Sequence, residues 1–216
     1  MKYKVPIMLA LVVTAIVLFS VSAGQAPKTI SLPAPQTEGG RPLMQVLKER
    51  KSTREFAPGS LSLQTLSNLL WAAFGINRPD GRRTAPSAMN WQEVSIYVAT
   101  AEGVYVYEAK ENALNPLLAG DFRGATGTQS FVKDAAVNLV YVADLSKAAG
   151  ADASDAELYT ATDVGFIAQN VYLYCASEGL VTVVRGSIDK PTLAKTLKLQ
   201  PKQRIILAQS VGYPKK

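Results

Sequence analysis

Histidine is absent from this chain of 216 residues, and cysteine occurs once, as Cys175. The lack of histidine excludes Ser-His-Asp and Cys-His triads, histidine-ligated zinc and acid–base catalysis by imidazole. A single cysteine excludes an intrachain disulfide and metal or iron–sulfur sites built from several cysteines. We therefore assign no metal ligand and no catalytic side chain. If the protein is an enzyme, a bound cofactor carries the demanding chemistry.

A strong excess of either charge is also missing. The 23 Lys and Arg residues against 17 Asp and Glu residues give a formal net charge of +6. This falls to +4 without Lys2 and Lys4, because residues 1–26 contain no acidic residue. The balance is too mild to predict a nucleic-acid partner, and it favours a solvated surface with a small anion pocket.

The first 26 residues have the pattern of a secretory signal peptide. Lys2 and Lys4 precede an uncharged apolar run over residues 6–21, and the small pair Ser22-Ala23 offers a cleavage site. The alternative is an uncleaved membrane anchor, because the run is near the lower length limit for spanning a bilayer. We predict an exported protein, periplasmic or extracellular, which this segment anchors to a membrane only if it is retained.

Residues 27–40 mix prolines and glycines with polar residues, and we predict a linker with little order. Residues 41–216 suffice for one domain with a proper core. The pattern along that domain predicts helices at 41–51, 62–74, 114–118, 129–134, 155–178 and 190–199, a turn at 77–83, and strands at 93–100, 104–107, 136–142, 181–184 and 204–211.

Helices and strands that mix without a strict βαβ order predict an α+β sandwich. The helix at 155–178 is apolar around most of its circumference, so we expect it to be deeply buried or to form an interface. Cys175 lies within it and is expected to be part of the core.

The segment 50–56, Arg-Lys-Ser-Thr-Arg-Glu-Phe, follows a helical stretch and places three cations and two hydroxyls within five residues. Guanidinium groups can donate paired hydrogen bonds to phosphate, and hydroxyls and backbone N–H groups can satisfy the remaining oxygens. The alternative is a charged helix end, whose cations stabilise the last carbonyls. We favour an anion site.

A second segment, Pro-Ser-Ala-Met-Asn-Trp-Gln at 86–92, is rich in turn residues and carries amide side chains that both donate and accept. Such groups suit the edge of a planar heteroaromatic ring, although an ordinary loop before a strand is the alternative. Trp91 is expected to serve in packing. A phosphate site together with an amide-bearing loop predicts a phosphorylated aromatic cofactor, and flavin mononucleotide (FMN) fits that description.

These motifs, in this order, resemble the nitroreductase-like family of FMN-dependent oxidoreductases. Arg-x-Ser-x-Arg-x-Phe begins at Arg50, Pro-Ser-x-x-Asn-x-Gln begins at Pro86, and Leu-Leu-Trp-Ala-Ala-Phe-Gly-Ile occupies 69–76 between them. The last run is similar to the dehydrogenase branch related to oxidases that form thiazoles and oxazoles in modified peptides. Glu93 departs from the pattern, because many nitroreductases have proline there.

The resemblance covers residues 41–216. It implies a nitroreductase-like sandwich with a central mixed, mainly antiparallel sheet flanked by helices, and one long buried helix. It also implies a homodimer that binds FMN at the subunit interface.

The resemblance also implies which residues contact FMN. The first motif would hold the phosphate, the second would follow the ribityl chain and ring, and a backbone N–H near Gly186 would reach flavin N5. A basic residue near the C-terminus would close the phosphate site. An ordinary turn at Gly186 and a frayed tail at Lys215 are the alternatives. The implied cofactor-binding residues are Arg50, Lys51, Ser52, Arg54, Pro86, Ser87, Ala88, Met89, Asn90, Gly186, Ser187 and Lys215.

The function implied is that of an exported FMN-dependent oxidoreductase of the nitroreductase or dehydrogenase type. It would pass hydride or electrons between the flavin and a small-molecule or peptide substrate by ping-pong turnover. Free NADH and NADPH are scarce outside the cytoplasm. Export therefore predicts either a different reductant or a dehydrogenase that oxidises its substrate and returns electrons to oxygen or to a membrane carrier. Two alternatives are a flavin-binding protein without turnover and an exported interaction domain that has lost the cofactor.

Overall fold

One sheet organises the computed structural model, which describes residues 28–215. The strands in this range are β1 (Ile30–Ser31), β2 (Phe56–Ala57), β3 (Val94–Ala99), β4 (Gly103–Glu108), β5 (Ala113–Ala119), β6 (Val137–Asp144), β7 (Val181–Arg185) and β8 (Gln203–Pro214). Their spatial order is β1-β5-β4-β3-β6-β8-β2, and β7 also pairs with β8. Each of these pairings is antiparallel, whereas Ser52 and Thr182 form a parallel bridge. The expected mixed, mainly antiparallel sheet is confirmed.

Strand β6 lies at the centre of the sheet, between β3 and β8. Its first seven residues are all buried, so both of its faces are covered. This is the burial that its continuous apolar sequence predicts, because a strand with one solvated face would alternate with polar residues.

Four α-helices flank the sheet in the described range: α1 (Leu43–Glu49), α2 (Leu63–Phe74), α3 (Ala153–Ser177) and α4 (Lys190–Thr196). Leu70 of α2 and Val164 of α3 belong to the larger core cluster on one face of the sheet. Leu193 of α4 belongs to a second cluster on the other face. The α+β sandwich predicted from the sequence is therefore confirmed. None of these helices is long and apolar enough to cross a membrane.

The ends of α2 follow from local chemistry. Ser62 is the N-cap, and its hydroxyl accepts the Thr65 N–H at 3.0 Å. At the other end, the Gly75 N–H donates to Trp71 O. A Cβ at Gly75 would lie only 2.7 Å from Trp71 Cα, so the close approach requires glycine even though its φ of −71° is ordinary.

Helix α3 determines where the candidate site residues lie. Its 25 residues correspond to roughly 37 Å of helix, and Asp152 caps its start by accepting the Asp155 N–H. One side is buried in the core, including Cys175, as expected. The opposite side exposes 61% of Leu158 and 45% of Phe166. The helix is thus buried along one side and carries exposed apolar side chains among polar ones on the side that faces solvent.

Residues 114–118 were expected to form a short helix, and that expectation is wrong. They belong to β5, which pairs with β4 and, through Ala113 and Leu114, with β1. Pro116 lies past the end of β1, where β5 has a free edge and a missing N–H costs no ladder bond. Cross-strand pairing, which has no local sequence signal, decides the conformation here.

The expectation of little order over 27–40 is also wrong for part of that segment. Ile30 and Ser31 form β1, Leu32 is 8% exposed, and the Gln36 N–H donates to Asn68 Oδ1 at 2.9 Å. The segment therefore packs on the domain and adds a strand to its edge. The predicted signal peptide at 1–26 lies outside the described residues.

Candidate functional site

The cationic segment at 50–54 leaves α1 and runs beside the start of β7. Arg50 is the C-cap of α1, and its N–H donates to Val46 O. The Thr53 N–H then donates to Thr182 O at 3.0 Å, next to the parallel bridge between Ser52 and Thr182. These backbone bonds fix the segment against the sheet while its side chains remain at the surface.

Tyr172 of α3 organises the centre of this segment. Its hydroxyl accepts the Val184 N–H at 2.9 Å and lies 2.7 Å from Ser52 Oγ. The Arg50 guanidinium lies 5.1 Å from the centre of the Tyr172 ring, within cation–π distance. A tyrosine that accepts from Val184 can donate to Ser52, which leaves the Ser52 hydrogen for an anion.

Apart from the contact between Arg50 and the Tyr172 ring, the described residues form no hydrogen bond or ion pair with the cationic side chains of this segment. Arg50, Lys51 and Arg54 form no ion pair with any of residues 28–215, and the side chains of Lys51 and Arg54 are exposed. A charged helix end would direct these groups to the last carbonyls of α1, and no such bond is present in the described chain. The geometry favours an anion site.

Lys215 returns to the same edge of the molecule. Phe56 pairs with Pro214, so the chain at Lys215 lies beside the residues that follow Arg54. Together with Arg123 and Lys133, Lys215 lines a cavity of about 450 Å³. Strand pairing therefore places Lys215 beside the end of the cationic segment, and its role in closing a phosphate site stays a prediction.

Gly186 and Ser187 continue from β7 and are exposed. The Ser187 carbonyl accepts the Thr128 N–H at 3.0 Å. A Cβ at Gly186 would meet only Leu207, at 3.7 Å, so the protein's own packing does not require glycine there. The exposed backbone at this point is open to a ligand.

Arg185 lies directly before them and is 6% exposed. Its guanidinium donates to Asn138 Oδ1 at 2.8 Å, to Ser210 Oγ at 3.1 Å and to the Thr126 carbonyl and hydroxyl. Burial lowers the pKa of Arg185 to about 10, and no carboxylate within the described residues neutralises it. The network fastens the end of β7 to β6 and β8.

The Pro86–Asn90 segment, predicted to contact the ring, forms a tight loop at the start of β3. Met89, Asn90 and Gln92 have φ angles of 48°, 55° and 47°, a left-handed conformation that is costly for residues other than glycine. Met89 is 67% exposed. Strain of this kind persists only where the surroundings hold the backbone in place.

Several bonds hold this loop. The Ala88 N–H donates to Asp163 Oδ2 of α3 at 2.8 Å. Ser87 Oγ donates to Glu93 Oε2 at 3.1 Å and accepts the Gln92 N–H at 2.9 Å. Burial raises the pKa of both carboxyls, and the Asp163 charge raises that of Glu93 further.

Arg83 supports the loop from the other side, with Nε donating to Gln92 Oε1 at 2.7 Å. Its guanidinium lies over the Phe74 ring, and burial lowers its pKa. Arg83 also lines a cavity of about 440 Å³, together with Arg78, Arg82, Ser87 and Asn90. This arginine cleft, defined by residues 78, 82 and 83, adjoins the predicted ring-contacting loop.

The two predicted halves of the cofactor site contact different parts of α3. Tyr172, which contacts Ser52, and Asp163, which contacts Ala88, are nine residues apart on α3. Nine helical residues correspond to roughly 14 Å along the axis and about half a turn around it. The cationic segment and the ring loop thus lie at different levels and on different sides of α3.

Four residues that contact the predicted motifs had no site role predicted from the sequence: Tyr172, Asp163, Glu93 and Arg83. A signal was present in α3, where a tyrosine and a carboxylate lie among apolar residues at positions that the fold buries. Polar side chains in such positions require partners, and those partners turn out to be the two predicted motifs. Trp91 packs edge-on against Tyr159, as expected.

Known proteins of one family match this chain over most of its length. The Nitroreductase family pattern matches residues 47–213. The protein MJ1384 of Methanocaldococcus jannaschii, a nitroreductase by name, is 31% identical over 180 residues, which are 79% of this chain and 90% of that protein. A Ralstonia eutropha crystal structure, also named as a nitroreductase, has a TM-score of 0.85 at 41% identity and covers 89% of this chain and 92% of its own.

Two more distant structures show the shared fold alone. A Desulfovibrio desulfuricans protein in complex with FMN has a TM-score of 0.61 at 21% identity, over 82% of this chain and 89% of its own. The Escherichia coli microcin synthetase McbBCD, with truncated pro-MccB17 bound, has a TM-score of 0.66 at 20% identity, over 94% of this chain and 84% of its own.

Proposed function

This chain belongs to the nitroreductase family, and on that premise we propose that it is an FMN-dependent oxidoreductase. One observation carries the proposal. Beside β7, the Arg50 guanidinium and the Ser52 hydroxyl contact a tyrosine that belongs to neither motif, and Arg50 forms no ion pair with any of residues 28–215. A guanidinium without a carboxylate partner, next to an ordered hydroxyl, suits the phosphate of FMN.

The residues present fit FMN. Arg50, Ser52, Lys51 and Arg54 would hold the phosphate, with Lys215 near the same edge. The exposed backbone at 186–187 and the loop at 86–90 would contact the ring system. Bound flavin would supply the hydride or electron transfer, while these residues bind it, orient it and offset its charge. No side chain of the protein is assigned an acid–base step.

We propose a homodimer in which the two halves of each site come from different subunits. The separation of the cationic segment and the ring loop across α3 supports this arrangement. So do exposed apolar side chains on α1 and α3, where Met44 is 77% and Leu158 is 61% exposed. An apolar face of this kind suits an obligate interface.

Light scattering tests the proposed dimer. Phe166→Glu should give a monomer that loses FMN, whereas Leu63→Glu, at an exposed apolar site on α2, should remain dimeric.

The cofactor is tested by the visible absorption spectrum of the purified protein after addition of FMN. We expect a bound-flavin spectrum for the wild type and its loss in Arg50→Ala, with Arg204→Ala, an exposed arginine on β8, as the control. A colourless protein that ignores FMN would favour the interaction-domain alternative. Tight FMN binding without substrate-dependent reoxidation would favour a flavin-binding protein without turnover.

We propose that the substrate carries negative charge. The arginine cleft beside the ring loop is lined by three guanidinium groups and, among the described residues, by no carboxylate, while Asp80 lies 3.4 Å from Arg82 and Glu108 lies near Arg83. With chemically or photochemically reduced enzyme, 4-nitrobenzoate should therefore reoxidise the flavin with a lower KM than uncharged nitrobenzene. Arg78→Gln should reduce that preference, and equal KM values in the wild type would contradict it.

We also propose that the protein belongs to the dehydrogenase branch, is exported and uses a reductant other than free nicotinamide. The Leu69–Ile76 run supports the dehydrogenase branch, and the apolar N-terminal sequence supports export with a reductant other than free nicotinamide. Fractionation of cells that express the full chain tests export. Micromolar KM values for NADH or NADPH in steady-state turnover would contradict the proposed reductant.

A further inference from the structure

Two carboxyl groups are buried beneath the ring loop. Glu93 has 0% of its surface exposed and Asp163 has 3%. No ion pair joins either of them to any of residues 28–215. Two adjacent carboxylates without a cation are costly to bury when both are ionised, so one of them retains a proton.

The hydrogen bonds indicate where that proton resides. Glu93 Oε1 and the Thr160 hydroxyl are buried without a partner in the described chain. Asp163 accepts the Ala88 N–H, which stabilises its charged form. A proton on Glu93 Oε1 turns that atom into a donor, and the Asp163 carboxylate can accept it. Burial raises the pKa of Glu93, although the Ser87 and Thr160 hydroxyls act to lower it.

We propose that Glu93 and Asp163 share one proton and act as positioning residues for the cofactor loop. Glu93 holds the Ser87 hydroxyl and Asp163 holds the Ala88 N–H, so the pair fixes the strained backbone that follows. Loss of the proton places two carboxylates side by side and displaces Ser87 and Ala88 from α3. The effect on cofactor binding rests on the proposed function, whereas the shared proton does not.

Other polar and charged groups lie near the pair, and their contributions to any pH dependence must be distinguished from that of the pair. Lys147 Nζ donates to Gln92 O at 3.2 Å, Arg83 contacts the Gln92 side chain, and the Asp144 N–H donates to Glu93 O. A Glu93→Gln variant retains all of them, together with any ionisation of FMN itself. The difference between wild type and variant therefore reports on the pair.

The experiment compares wild type, Glu93→Gln and Glu157→Gln between pH 5 and pH 9. Glu157 is exposed on α3, so its variant controls for the change in charge. Thermal unfolding is measured without ligand, and the FMN dissociation constant is measured at each pH. Because the folded-state pKa is raised, the stabilisation is fully present at low pH and is lost as the pH rises through that value.

We expect the wild type to lose stability with rising pH relative to Glu93→Gln. The ratio of its FMN dissociation constant to that of Glu93→Gln should rise about tenfold over the range, corresponding to about one pK unit of coupling. Glu157→Gln should follow the wild type. Infrared spectra of the wild type should show a protonated carboxyl persisting above pH 6, which tests the shared proton even if Glu93→Gln fails to fold.

Parallel unfolding profiles, or a protonated-carboxyl band lost by pH 5, would overturn the shared proton. FMN binding with the same pH profile in all three proteins would overturn the positioning role and leave the proposed function intact. Diverging unfolding profiles without FMN binding at any pH would support the shared proton and reject the proposed function.

Discussion

The cationic segment at 50–54 and the ring loop at 86–92 are attached to the same helix by opposite means. The first is held by backbone pairing with β7 and by the Tyr172 hydroxyl, while its charges remain free at the surface. The second is held by buried carboxyls that contact its backbone and its serine. Side chains in the first segment are therefore available for a ligand, whereas the second presents a shaped backbone. Variants in the cationic segment should therefore change FMN binding more than stability, and variants that remove the support of the ring loop should change stability more.

The largest effect on stability is expected for Arg185→Ala, at the end of β7 that supports the exposed backbone at Gly186. The change leaves the Thr126 carbonyl without a buried donor, removes one of the two donors to Asn138 Oδ1 and opens a cavity, so we expect a loss of about 3 kcal/mol. Chemical denaturation measures it, with the exposed Arg204→Ala as control. A loss below about 1 kcal/mol would mean that water or rearrangement replaces the network.

A smaller loss is expected for Ser87→Ala in the ring loop. The substitution removes the hydroxyl that links Glu93 Oε2 to the Gln92 N–H, and we expect a loss of about 2 kcal/mol. The unfolding free energy from urea titration tests this. An unchanged value would show that the loop does not depend on its buried carboxyl. Thr128→Ala, in another loop, should cost less, because only its 3.5 Å hydroxyl contact is lost.

Tyr172→Phe should moderately lower both the unfolding free energy and the affinity for FMN. Loss of the hydroxyl leaves the Val184 N–H without its acceptor and Ser52 without its neighbour, at a cost of about 1 kcal/mol. The loosened hydroxyl site should weaken FMN binding about tenfold. Fluorescence titration with FMN measures the second effect, and Tyr159→Phe on the same helix is the control. Lost stability with unchanged affinity would separate Ser52 from the cofactor site.

The smallest effect on stability is expected for Lys51→Gln and Arg54→Gln. Both side chains are exposed and unpaired in the described chain, so the unfolding free energy should change by less than about 0.5 kcal/mol. FMN affinity should fall roughly threefold for each, and its salt dependence should weaken with it. Lys110 is exposed in the turn between β4 and β5, outside the cationic segment, so Lys110→Gln is the control for FMN affinity.

The elements that were predicted well have their signals within a few residues. The Ser62 cap and the apolar period of α2 are local, and so is the unbroken apolar run of β6. The failure at 114–118 depends on pairing of β5 with β4, and the failure at 30–36 on pairing of β1 with β5, which lie more than eighty residues apart in the chain. Pro116 adds to the difficulty, because proline is rare in both helices and paired strands.

The amino-acid sequence alone establishes the chemistry that is available: no histidine, one cysteine, a cluster of cations and an amide-bearing loop, in an order that resembles one family. Which residues those motifs contact depends on the fold. Tyr172, Asp163 and Glu93 contact them because the periodicity of α3 and the pairing of the strands bring distant positions together. Burial and mutual contact, which raise the pKa values of the two carboxyls, depend on three-dimensional neighbours and leave no local pattern in the chain.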